Sequence, residues 1–214
     1  MPEDLLRYHH MTLPTLIKTS LLATLLQWAP EPPETITIGT QQWMASNLAV
    51  TEFRNGDKLF LAKNARDWKK AAKKKMPACA YVDFDPSTAK IHGMVYNWYA
   101  VEDRRGLAPE GWRVPSTTDW KQLISHLGGP RATYRQIADN AVPGLFSSGY
   151  VSWVSGSKAE AAQRGYYWSS EGFDSSCTFV GLTMEVDIRN QRVLMDSFGK
   201  GNGLLVRCLQ NLEQ

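Results

Sequence analysis

Several features that announce a function are scarce or missing in this chain. It has three cysteines in 214 residues, too few and odd in number for a disulfide framework. Its longest mostly apolar stretch, Leu21–Ala29, is far shorter than the ~20 residues that cross a bilayer as a helix, so no membrane span is expected. Charge is nearly balanced, with 24 Lys+Arg against 21 Asp+Glu and a formal net charge of +3, which makes no electrostatic case for nucleic acid. His9 and His10 are adjacent, a poor geometry for sharing one ion, and His92 and His126 stand alone without ligands at zinc spacing. Asp83 and Asp85 lack the glycine and the bidentate glutamate that complete a calcium loop. There is no P-loop, no G-x-G-x-x-G after a strand and no G-x-S-x-G elbow, and Ser169-Ser170 has no evident histidine partner. Cys79, Cys177 and Cys208 lie among apolar or small residues, as inert thiols do. The expectation is a protein that is not an enzyme and holds neither metal nor cofactor.

Aromatic residues, by contrast, are abundant: 8 Trp, 8 Tyr and 7 Phe, a surplus that suits either a small fold held by large flat side chains or a recognition surface. Apolar residues make up 43% and charged residues 21%, an ordinary globular composition. Residues 1–34 differ in texture from the rest. Leu13, Leu16, Ile17, Leu21, Leu22, Leu25 and Leu26 recur at helical spacing, and Pro30, Pro32 and Pro33 end the run. A packing or oligomerising helix is expected there, with a secretory signal starting at Met11 as the competing reading.

From Thr35 onward short strands and turns dominate. Asn64–Lys75 reads as a polar helix whose five lysines (Lys69, Lys70, Lys73, Lys74, Lys75) spread around a solvated surface. Thr117–Leu127 reads as a helix capped by Ser116 or Thr117, with Trp120, Leu123, Ile124 and Leu127 on one face and Gly128-Gly129-Pro130 as its stop. Thr178–Ile188 alternates, with Leu182, Met184, Val186 and Ile188 on one face and Thr183, Glu185 and Asp187 on the other. A connection at Arg189–Arg192 leads into Val193–Ser197, and Leu204-Leu205-Val206 reads as a last buried strand. This pattern predicts an α+β domain. Trp98, Trp112 and Trp168, each beside Gly, small or polar residues, are expected to be buried loop anchors.

Six segments in order resemble the Fibrobacter succinogenes major paralogous domain. They are Gln42-Trp43-Met44-Ala45-Ser46-Asn47-Leu48, Gly93–Val101 around Tyr96-Asn97-Trp98, and Pro109–Ser116 around Gly111-Trp112-Arg113, leading to Asp119-Trp120. Leu127-Gly128-Gly129, Gly165–Ser170 around Trp168, and Gly203–Cys208 with Arg207 follow. The resemblance covers about residues 35–209, leaving 210–214 as a tail. It implies a C-type-lectin-like domain with two helices and short antiparallel sheets, preceded here by the N-terminal helix. It also implies structural roles for Trp43, Trp98, Trp112, Trp120, Trp168 and Arg207. Members usually carry a cysteine where this chain has Ala108, so Cys208 lacks its usual partner. The Glu-Pro-Asn, Gln-Pro-Asp and Trp-Asn-Asp triplets of sugar-binding C-type lectins are missing, so calcium-dependent sugar binding is not implied.

The stretch between Trp168 and Arg207 is similar in position to the diversified region of variable proteins of diversity-generating retroelements, which use that fold. That resemblance implies a ligand face built from Phe173, Asp174, Phe179, Arg189, Asn190, Arg192, Leu194, Asp196, Phe198, Lys200 and Asn202. If Val193 and Met195 face the core, alternation turns Leu194 outward, where an apolar side chain gains nothing without a partner. The expected function is non-enzymatic recognition of a protein or glycan ligand at a cell surface, as in phage receptor-binding or bacterial surface display proteins, whether secreted, surface-bound or on a virion. The N-terminal helix would supply self-association. Two alternatives stand beside it: a structural module of a virion or surface layer, and a copper oxidoreductase on the formylglycine-generating pattern using Cys177 and Cys208.

Overall fold

The structure, a computed structural model, describes residues 32–211 apart from 143–144, 146–148, 153, 157, 160–162 and 174–177. Contacts divide the chain between Pro32 and Pro33, and everything described below belongs to the second unit. The expected N-terminal helix falls outside the described residues.

Three sheets carry the fold. The first runs in the order β1 (Thr35–Ile38), β2 (Gln41–Met44), β13 (Leu209–Gln210) and β6 (Trp112–Arg113), all antiparallel. The second has seven strands. Its order is β11 (Arg192–Gly199), β10 (Val180–Asp187), β9 (Arg164–Gly172), β12 (Leu204–Leu205), β5 (Met94–Tyr96), β4 (Ala78–Tyr81) and β3 (Phe60–Leu61). It is mixed, since β12 pairs parallel to β9 and β3 parallel to β4. The third is the pair β7 (Tyr150–Val151) and β8 (Lys158–Ala159). Five short α-helices accompany them: α1 (Ala65–Lys73), α2 (Ala89–His92), α3 (Trp98–Val101), α4 (Thr117–His126) and α5 (Pro130–Ala138).

The expected α+β class, a C-type-lectin-like domain with two helices and short antiparallel sheets, is therefore corrected. The described residues are mostly β, with thirteen strands in three sheets, one of them mixed, and five short helices rather than two. Strands such as β6, β7, β8, β12 and β13 hold two residues each, too few to leave a period in the sequence.

Local chemistry explains where the helices begin. Asn64 caps α1 by accepting from the Asp67 N–H at 3.0 Å. Ser116 and Asp119 form a reciprocal capping box at α4. Gly128 and Gly129, both at positive φ, turn the chain sharply so that Pro130 starts α5. The expected stop of one helix is thus also the start of another.

The large sheet buries both faces, and strand alternation divides neighbouring residues between two apolar clusters. Val95, Tyr167 and Leu205 join Trp43, Trp68, Trp120 and Met184 in one. Tyr96, Tyr166, Trp168 and Leu204 join Trp98, Cys79 and Cys208 in the other. Helices α4 and α5 cover the first face, α4 against β9 and β10 and α5 against β11. On the second face the Trp98 ring lies against β10 where Gly181 stands, and a Cβ there would come within 2.4 Å of the ring.

Polar residues hold the second cluster in place. Buried Asn97 accepts from the Ala78 and Ala100 N–H groups at 3.0 and 3.1 Å and donates to the Met76 carbonyl at 2.7 Å. The Trp168 indole donates to the Tyr96 carbonyl at 2.7 Å. The Tyr96 hydroxyl bridges the Val50 backbone, accepting from its N–H at 2.7 Å and donating to its carbonyl at 2.9 Å. These hydrogen bonds and the interlocked rings join the second cluster to the backbone around it.

Candidate functional site

Along the outer edge of the large sheet the first turn of α4 does not reach the far end of β10 and β11. The gap is a groove of about 330 Å³. Leu182 and Met195 supply apolar surface, Thr117 and Lys121 come from α4, and Phe173, Asp196 and Ser197 complete the walls. Register places these groups: Leu182 pairs with Ser197 and Thr183 with Asp196.

The helical wall is fixed by charge. Asp119 accepts from both terminal nitrogens of Arg113, with Nη2 at 2.8 Å, and from the Ser116 N–H and hydroxyl, each at 2.7 Å. Burial pushes the Asp119 carboxyl up, but the hydrogen bonds from Arg113 and Ser116 outweigh it and hold the group below the ordinary carboxylate range. At the lip, the Glu171 carboxylate accepts from the Thr117 N–H at 2.8 Å and from its hydroxyl. The Ser170 N–H donates to the Pro115 carbonyl at 2.7 Å, tying β9 to the segment before α4.

Phe173 lines this groove, and Phe179, which immediately precedes β10 opposite Lys200, is a second exposed ring that does not line it. Phe173 is 52% exposed and Phe179 is 70% exposed. Their backbones are tied down, the Phe173 N–H to the Val180 carbonyl at 3.4 Å and the Phe179 carbonyl to the Lys200 N–H at 2.9 Å. Lys121 and Asp196 have no ion pair with any described residue, so two opposite charges remain available, one on each side of the groove.

Of the eleven residues expected in a ligand face, the structure brings Phe173 and Asp196 into the groove. Asp174 lies outside the described residues. Arg189, Asn190 and Arg192 are exposed at the turn end of the β10–β11 hairpin, away from the groove. Leu194 is half-buried on the opposite face of the sheet, across from Glu185. Phe198 packs inside an aromatic trio, 4.7 Å from both the Tyr150 and Tyr166 ring centroids. Lys200 pairs with Glu102 at 2.8 Å and lies 5.8 Å from the Trp98 ring. Asn202 is buried, donating to the Gly199 carbonyl at 3.1 Å.

The opposite face of β10 is also not open. Thr183, Glu185 and Asp187 are all buried, with Glu185 3.0 Å from Arg164 and Asp187 bonded to Asn190. Polar identity alone does not turn a strand face to solvent when arginines and turn amides meet it. Sequence reasoning missed Thr117, Lys121, Leu182, Met195 and Ser197 as groove residues. The alternation of β10 and β11 assigns Leu182 and Met195 to the core side, and only the short reach of α4 leaves them partly uncovered.

The aromatic scaffold is deeply placed: Trp43, Trp98, Trp112, Trp120 and Trp168 are all buried, as is Arg207, which donates to Asn47 Oδ1 at 3.2 Å. Burial pushes the Arg207 guanidinium down to about 10. Cys79 and Cys208 are free and buried, and burial pushes both thiols up to about 12, so in this fold neither is poised as a thiolate. Cys177, the other half of the considered copper pair, lies outside the described residues. Ser169 is fully buried, and its hydroxyl has no hydrogen-bond partner among the described residues. Asp83 pairs with Lys158 across 75 residues of sequence, and Asp85 accepts from Ser87 within its own turn, both structural contacts. The five lysines near α1 are exposed. No helix of the described residues is long and apolar enough to cross a membrane.

Residues 36–150 match the Fibrobacter succinogenes major domain. The matched segment contains the α4 wall of the groove and ends before β9, β10 and β11, whereas the resemblance read from the sequence ran on to residue 209. No curated protein and no solved structure matches the chain. With more than half of its length matched, the chain belongs to the Fibrobacter succinogenes major domain family.

Proposed function

We propose that this protein is a non-enzymatic binding protein whose ligand, a protein or glycan on a cell surface, docks at the groove between α4 and the β10–β11 hairpin. The observation that carries this reading is the exposed Phe173 ring in a groove with apolar and charged walls, with a second exposed ring, Phe179, at the start of the same hairpin. Burying a whole phenylalanine side chain is worth roughly 1.5–3 kcal/mol, so a ring left in water on an otherwise well-packed fold gains most when a partner covers it. Aromatic anchors surrounded by polar groups are the usual composition of an energetic centre in recognition. Lys121 on the helical wall and Asp196 on the strand wall supply charges that select an orientation rather than bulk affinity.

In this reading the hairpin region 171–203 is the variable part of a display protein of the diversity-generating kind, and adhesion or phage receptor binding is the setting. The scaffold residues Trp168 and Arg207, both buried, frame that region and are expected to stay fixed while outward groups change. Glycan arrays and intact-cell binding with the full chain test the reading. Saturable binding that requires Phe173 and Phe179 supports it. A chain that binds neither glycans nor cells, or that binds independently of both rings, overturns it.

A further inference from the structure

A second concavity lies at the turn end of the β10–β11 hairpin. The Asp187–Arg192 pair that opens the turn stands about 17 Å from the groove's Leu182–Ser197 pair, at ~3.4 Å per residue. This pocket, of about 240 Å³, is walled by Arg131 and Arg135 from α5 and by Arg189, Asn190 and Gln191 from the turn. It is separate from the proposed ligand groove and does not depend on that reading.

Every charge in the pocket has the same sign. Arg105, Arg113, Arg164 and Arg192 each face a carboxylate elsewhere in the fold, but Arg131, Arg135 and Arg189 pair with none among the described residues. Arg131 and Arg135 also repel one another along α5. Arg131 sits in the first turn of α5, where the helix dipole is already positive. Arg135 follows it by four residues on the same face, a repulsive spacing for like charges. The packing of α5 on β11 then adds Arg189 from a distant part of the chain.

The turn that carries Arg189 is held firmly. The Asn190 N–H and Nδ2 donate to the Asp187 carboxylate at 3.1 and 2.7 Å, and the Gln191 N–H donates to the Ile188 carbonyl at 3.2 Å. Gln191 has φ 51°, a left-handed conformation that a residue with a Cβ keeps only when its surroundings require it. Three exposed guanidiniums lining one concavity beside a braced turn are suited to an anion, since each presents a rigid fork of donors to paired oxygens.

We infer that this pocket binds an oxyanion carried on a polyhydroxylated body, that is, an anionic sugar. A bare phosphate or sulfate fills only part of the space, given that a water occupies ~30 Å³ of liquid. The lining is arginine and amide throughout, so the rest of the ligand meets hydrogen-bonding groups and no apolar wall. No aromatic lines the pocket, which removes the stacking surface that a nucleobase uses.

Calorimetric titration of the full chain with glucose 6-phosphate, glucose 6-sulfate and glucuronate tests the assignment, with glucose and inorganic phosphate as comparisons. The anionic sugar that binds identifies the oxyanion, and glucose is expected not to bind. R135Q and R189Q should each weaken binding by about tenfold or more while leaving the melting temperature close to that of the parent. R189K keeps the charge but loses the fork and should fall between, and K73Q, on the exposed surface of α1, should change nothing. The assignment is overturned if none of the three sugars binds at millimolar concentration, or if R135Q and R189Q bind as the parent does. It is equally overturned if inorganic phosphate binds as tightly as the sugars, or if a single-stranded oligonucleotide binds more tightly through the same arginines.

Discussion

Replacing Asp119 with asparagine tests how the α4 wall of the groove is held. The carboxylate is 11% exposed and accepts four hydrogen bonds, two from the Arg113 guanidinium and two from Ser116. Hydrogen bonds to charged groups contribute roughly 1.5–3 kcal/mol each, but asparagine retains part of the capping box. Arg113 is 38% exposed and regains water when its partner's charge is lost, which discounts the ion pair. The net loss worked from these terms is about 2 kcal/mol, or about 4–8 °C in melting temperature for a chain of this size.

The pH dependence gives a sharper test. Asp119 titrates below its ordinary value in the folded state, so its contribution is fully present above the unfolded carboxyl value, near 3.8. The contribution is lost as pH falls through the lower folded value. Urea denaturation of Asp119→Asn and the parent should therefore show the gap at neutral pH and show it closing as the pH is lowered below the ordinary carboxyl value. A gap below about 0.5 kcal/mol at neutral pH, or one equally wide in acid, refutes the reasoning.

Two further predictions concern the core. Tyr96→Phe removes the hydroxyl that bridges both backbone groups of Val50 and should cost about 1–3 kcal/mol in thermal or urea unfolding; an unchanged midpoint contradicts that role. Cys79 and Cys208, buried and with thiols pushed up to about 12, should resist iodoacetamide in the native protein at pH 8 and alkylate once the chain is unfolded, as read by peptide mapping.

What the sequence made legible follows from which signals are local. The α1 and α4 helices start at Asn64 and Ser116, where a side-chain oxygen within the segment itself supplies the cap. The β10–β11 hairpin shows because its strands are long enough for a period of two. Helix α5 was hidden because Gly128-Gly129-Pro130 terminates one helix and opens the next, and the same three residues serve both purposes. The burial of Thr183, Glu185 and Asp187 depends on Arg164, on Asn190 and on the register that brings them together, none of which a strand pattern reports. Phe198 looked like a surface anchor for the same reason, since Tyr150 and Tyr166 reach it only in three dimensions. The groove itself depends on where α4 ends its cover of the sheet, a tertiary property that leaves no mark in composition.

The central claim, that Phe173 in the α4–hairpin groove and Phe179 at the start of the hairpin anchor a ligand, is tested most directly by comparing the parent with the double variant Phe173→Ala/Phe179→Ala in intact-cell binding and in thermal unfolding. Both rings are mostly in water in the free protein, so their removal should change the melting temperature little. If a partner covers each ring for roughly 1–2 kcal/mol, binding should weaken by about a hundredfold. Undiminished binding, or a loss of binding that only accompanies unfolding, contradicts the account.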